Sequence, residues 1–196
     1  FILTGSRSLE IMDRVNQSLV GRSATVELLP FSYSELEKQY EDAPITEVLH
    51  KGFYPPIHHR ALTPSIWFSN YVRNYLERDV RQLINVKDLD LFQRFLILCA
   101  GRTGQLLKYS DISSELGLSH NTVKAWFSVL AANCIIFLLP PYYPNFTKRA
   151  VKTPKLYFHD TGLAAWLLSV KKFSHLDPHP LKGALFENYC VVELLK

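Results

Sequence analysis

Two sets of side chains in this sequence have the types and spacing that meet nucleic acid. His120, Asn121, Thr122 and Lys124 crowd the outer start of a helix whose opposite stripe is Val123, Trp126, Phe127 and Leu130. Asn and Lys hydrogen-bond base edges, and the first turns of such a helix are the part that enters a major groove. The other reading is a solvated helix face used for protein contacts, since Lys124 is the single base-contacting cation of that helix. Lys148, Arg149, Lys152 and Lys155 then place four cations within eight residues, near Tyr142, Tyr143 and Phe146. Cations there would neutralise phosphates and make binding salt-dependent. The bland alternative is a solubilising hairpin tip.

Other candidates stand apart. Thr4-Gly5-Ser6 follows a short apolar strand, Phe1 to Leu3, and open α/β sheets bind ligands at that end of their strands. A solvated turn hydroxyl is the competing reading of Ser6. Arg22 lies between the helix-ending Gly21 and a β-rich stretch, where an ordinary salt-bridging Arg is equally at home. His175 and His179 are four apart, but in a proline-rich loop, and Asp177 alone does not complete a metal site. No metal is expected. The three cysteines, Cys99, Cys134 and Cys190, form no CxxC pair and fit buried thiols in a reducing compartment.

The elements that position these groups centre on Tyr109 to Ile136. Ser110 and Asp111 open a helix with Ile112 and Leu116 inside, and Gly117 takes the left-handed turn a side chain resists. Ser119 then caps a second helix. That spacing predicts a helix-turn-helix. Cys134 to Leu139 reads as a strand with Lys155 to Phe158 returning beside it, so a winged helix is expected. Upstream, a helix over Ser8 to Leu19 and a strand over Ala24 to Leu29 read as the tail of an α/β sheet. Ser32 and Glu35 form a capping box for a helix to Tyr40. Ala43 to Thr63, proline-rich and irregular around GFYPPIHHR, reads as a linker or domain junction. Thr63-Pro64 starts a helix carrying Trp67/Phe68, Tyr71/Val72 and onward to Leu83/Ile84 at a four-residue beat, a packing stripe. Asp88 caps a helix through Ala100, Asp160 caps one through Leu168, and Gly183 to Lys196 forms the last.

The average composition is that of a globular protein, with 47% hydrophobic and 20% charged residues over 196 positions. No apolar run approaches the roughly 18 residues of a membrane span, so no membrane partner is expected and a cytoplasmic location is. The net charge of +4 permits a nucleic-acid partner without demanding one. The chain opens FILTGS without an initiating Met and closes VVELLK inside a helix pattern. Both ends read as cut, which predicts a piece of a longer protein.

Several stretches also resemble a family. FILTGS…SL-x-GR…ELLPFSYSEL is similar to the end of the nucleotide module of prokaryotic AAA-type ATPases (AAA_14-like). GFYPPI, YLERDVRQL, GRTGQLLKYSDIS-x-x-LG-x-S-x-x-TVK-x-W, NFTKR-x-VKTPKLYFHDTGLAAWLL and G-x-LFEN-x-x-VVELLK resemble the DUF4143 domain that follows it. The likeness spans essentially the whole chain and departs from it mainly in the LLSVKKFSHLDPHP loop. It implies an α+β, mostly helical fold in four parts. Residues 1–42 would be the tail of the ATPase sheet and 43–87 a helical linker. Residues 88–160 would be the winged helix-turn-helix, and 161–196 the truncated start of a PD-(D/E)xK nuclease-like domain.

The resemblance also implies roles. Ser6 would orient the attacking water and Arg22 would reach a γ-phosphate, while Glu187 of LFEN would be the nuclease-like acid. ATP and Mg²⁺ would belong to the parent protein, with double-stranded DNA and a homo-oligomer formed through the ATPase domain as partners. The chain has no G-x-x-x-x-G-K-[ST] loop, so alone it is not expected to bind or hydrolyse ATP. From another class, it would be a non-enzymatic winged-helix regulator or protein-docking module.

Overall fold

In a computed structural model, which describes residues 24, 26–76, 89–142 and 153–196, the chain is α+β and mostly helical. Helix α1 (Tyr33–Tyr40) begins at its predicted capping box, with the Ser32 backbone N–H donating to the Glu35 carboxylate at 2.8 Å. The strand predicted over Ala24 to Leu29 does not form in its described residues. Val26 and Leu28 lie 81% and 92% exposed there. β-rich composition needs a neighbouring strand to pair with, and among the described residues none lies beside it.

The expected irregular linker is instead ordered and packed. Helix α2 (Ile45–Lys51) and the short α3 (Pro55–His59) occupy it, with Leu49, Phe53 and Ile57 buried. Proline sets the first turn of α3, where a missing N–H costs nothing. Gly52 makes the corner between the two helices at φ 67°, ψ −160°, a region essentially restricted to glycine. Helix α4 (Pro64–Tyr71) continues as a π turn through Val72–Leu76. The rest of its predicted stripe, with Asp88, lies outside the described residues.

Next come α5 (Leu89–Ala100), α6 (Tyr109–Leu116) and α7 (His120–Ala132). Gly117 sits left-handed at φ 65°, ψ 29° between the last two, and the Ser119 hydroxyl accepts from Thr122 N–H at 3.1 Å. Helix α6 starts one residue before Ser110, after an extended Lys108 that makes no side-chain cap. Strands β1 (Ile136–Leu139) and β2 (Lys155–Phe158) pair antiparallel, Ile136 opposite Phe158 and Leu139 opposite Lys155. A bridge from Leu106 to Lys155 adds a third rung on the far side of β2. Helix α8 (Thr161–Leu167), a 3₁₀ turn (Phe173–Leu176) and α9 (Lys182–Leu195) complete the fold.

One buried cluster runs through these pieces, from Leu49 and Phe68 through Phe95, Ile112 and Phe127 to Leu163 and Leu185. The cluster includes residues on both sides of position 160. At its centre Phe95 meets Trp126 and Phe127 edge-on at 5.2 and 4.9 Å, a favourable ring geometry. A smaller cluster of Leu36, Tyr40, Val48 and Phe53 lies under α1.

Candidate functional site

Helix α7 turns Val123, Trp126, Phe127 and Leu130 into the core, as their spacing predicts, which leaves His120, Asn121 and Lys124 exposed on the opposite side. These three share one surface at the start of the helix. His120 also meets the ring of Tyr109, edge-on at 5.5 Å, and so ties the start of α7 to that of α6. Thr122 is different: its hydroxyl lies 2.8 Å from that of Ser119 and belongs to the helix cap. Lys108 stands exposed at the start of α6. Beyond Lys124 the exposed positions of α7 are Ala125, Ser128 and Ala131, small and uncharged.

Lys148, Arg149 and Lys152 lie outside the described residues, as do Ser6 and Arg22. Lys155, the fourth cation of that run, is at the start of β2 and is already engaged. Its ammonium donates to Glu187 Oε1 at 2.8 Å, and the Tyr157 hydroxyl donates to the same oxygen at 2.6 Å. These two hydrogen bonds, from Lys155 first, hold the Glu187 carboxyl below its ordinary pKa. The residue assigned as a nuclease-like acid thus sits in an ion pair, 43% exposed.

Asn188, next to it, is wholly buried. Its side-chain carbonyl accepts from Phe158 N–H at 2.7 Å and its amide donates to Phe158 C=O at 2.8 Å. One side chain thereby stands in for a strand and closes the free edge of β2, where exposed backbone groups would otherwise be orphaned.

Asp160 forms a second joint. Its Oδ1 accepts from Leu163 N–H at 2.7 Å, capping α8, while Oδ2 accepts from Phe53 N–H at 2.6 Å. The side chain thus binds the corner after α2 to the start of α8. Burial pushes its carboxyl up to about 6, against the pull of those backbone donors. Neighbouring His159 is driven the other way, down to about 4, by burial and by the charge of Lys196. His175 is exposed, and His179 accepts from Leu181 N–H at 3.2 Å just ahead of α9. Among the described residues no group of three His, Cys, Asp or Glu is placed to hold a metal ion. None of the described helices is long and apolar enough to cross a membrane.

Sequence reasoning missed the Lys155–Tyr157–Glu187 group and the Asp160 joint. The alternation of Lys155 and Tyr157 along β2 placed both on one face, but nothing local indicated a carboxylate from thirty residues downstream.

Residues 42–174 match the model of a family described as a domain of unknown function, DUF8612. Two uncharacterized mycobacterial proteins, Mb2031c of Mycobacterium bovis and Rv2008c of Mycobacterium tuberculosis, are each similar at 27% identity over 195 residues. The match covers 99% of this chain and 44% of each relative, so the chain spans less than half the length of these relatives. No solved structure matches. These findings overturn the AAA_14-like and DUF4143 assignment and the ATP-binding role attached to it, because the matching family is a different one. The physical reason the likeness misled is visible in the fold. GFYPPI, HDTG and LFEN are packing joints here, and joints carry no information about nucleotide chemistry. Since the model matches more than half of the chain, the protein belongs to the DUF8612 family.

Proposed function

We propose that this DUF8612 member carries a winged helix-turn-helix that binds double-stranded DNA, with α7 presented to the groove. The supporting observation is the order of pieces around one core. Helix α5 is followed by the Leu106 rung, α6, a left-handed glycine, a serine-capped α7, and the β1–β2 ribbon. In such a module the helix after the turn enters the major groove, and backbone phosphates are held by cations around it. His120, Asn121 and Lys124 are exposed where base edges would be met, and Lys108 is exposed at the start of the preceding helix. The chain between the two strands contributes Lys148, Arg149 and Lys152, the place of a wing.

Fluorescence anisotropy of the chain with a labelled duplex, titrated with salt, tests this reading. The expected log–log slope is about −3 to −5, a handful of phosphates at about 0.9 each. Joint replacement of Lys124, Lys148 and Arg149 by Ala should flatten the slope by about 2 to 3 and weaken binding across all sequences. Absence of binding at low salt overturns the reading. It would leave a protein-docking module, which has its own support in the exposed Ala125, Ser128 and Ala131, small enough to let a partner helix approach closely.

A further inference from the structure

We propose that Glu187 competes internally for Lys155, so that α9 sets how much positive charge the β1–β2 ribbon offers to DNA. The inference rests on the DNA-binding reading and adds a control to it. Lys155 is the last cation of the run that begins at Lys148, and it opens strand β2. Its ammonium lies 2.8 Å from Glu187 Oε1, with the Tyr157 hydroxyl 2.6 Å from the same atom. One carboxylate oxygen therefore takes both polar groups on that face of β2.

The carboxylate is delivered there by design of its neighbours. Asn188 clamps α9 to Phe158 through two hydrogen bonds of 2.7 and 2.8 Å, which fixes the adjacent residue over the ribbon. On the other side lies Gly104, where an added Cβ would come within 3.5 Å of Glu187 Oε1. The slot is narrow but open to water: the Lys155 and Glu187 side chains are 42% and 43% exposed. A pair so well solvated is weak, because water screens it. A DNA phosphate can therefore reach Lys155, but while Glu187 is charged the carboxylate, of like sign, opposes that approach and keeps the ammonium.

Measuring duplex affinity and salt slope for wild type and E187Q decides the matter. Removing the charge frees Lys155 to act as one more phosphate contact. Affinity should rise roughly five- to tenfold at about 0.1 M salt, and the slope should steepen by about 0.9. K155Q alone should change little, and K155Q added to E187Q should erase the gain. Y157F, which keeps the ion pair, should bind as wild type does, separating a charge effect from a loosened ribbon. Should E187Q fail to show a wild-type thermal melt, E187D, with the carboxylate drawn back by one methylene, carries the test with a smaller expected gain. A folded E187Q with unchanged or weaker affinity, while wild type binds, overturns the competition and leaves the DNA reading standing. Binding by E187Q alone supports both ideas, and binding by neither variant at low salt overturns both.

Discussion

At the scale of single residues the buried neighbours His159 and Asp160 oppose each other. Asp160 has a folded pKa of about 6 against 3.8, so its uptake of a proton on folding stabilises the protein below about pH 4. That contribution is lost as pH rises through about 6. His159 is kept neutral, at about 4 against 6.5. Its contribution is present above pH 6.5 and is lost as pH falls through about 4. The two slopes have opposite sign in the same window, from about pH 4 to 6, and largely cancel. Replacing His159 by Phe should make stability rise, relative to wild type, between pH 6.5 and 4.5. Asp160→Asn should make it fall over the same interval, each by on the order of 1 to 3 kcal/mol. Urea midpoints at the two pH values would read both changes, and parallel shifts in the two variants would refute the pairing.

At the scale of elements the glycines separate joints from turns. Gly52 and Gly162 face each other where α2 meets α8. A Cβ on Gly52 would lie 2.5 Å from Asp160 Oδ1, and one on Gly162 2.8 Å from the Lys51 carbonyl oxygen. Gly117 has the same positive φ as Gly52 but open space around it. Gly117→Ala therefore incurs only the left-handed strain, about 1 kcal/mol. Gly52→Ala adds to its own left-handed strain a clash with the Asp160 carboxylate, and Gly162→Ala must part α8 from the backbone at the end of α2, so each should cost about 3 kcal/mol or more. Chemical denaturation of the three variants should give that order. If G117A proves as damaging as G162A, the close approach of α2 and α8 is not what demands glycine. Asn188→Leu belongs to the same scale: it keeps the volume but orphans both backbone groups of Phe158, at about 2 to 4 kcal/mol.

Over the described residues, the core that runs from Leu49 to Leu185 joins α6, α7, the β1–β2 ribbon and the helices flanking them in one packed cluster. Circular dichroism and tryptophan fluorescence should therefore report a single coincident unfolding transition. Leu163→Ala, wholly buried in α8, should lower that transition as a unit, by about 2 to 5 kcal/mol. Two separated transitions would mean that the part after residue 160 folds by itself.

Helix α1, the helices from α4 onward, the caps at Ser32, Ser119 and Asp160 and the two strands were legible in the sequence because each is set by nearby residues. Ser119 caps within three positions, Gly117 answers a local φ, and apolar spacing of three and four turns one face of α7 inward. The exposed set of His120, Asn121 and Lys124 follows from that same period. Tertiary structure alone decided what happened between distant residues. GFYPPIHHR has the composition of a linker, yet Phe53 N–H finds Asp160 across 107 positions while Phe53 and Ile57 are buried in the core. Lys155 has the composition of a phosphate contact, yet Glu187 reaches it from α9. A backbone period shows which face a side chain takes. Which partner waits there depends on where the chain returns, and no local spacing encodes that.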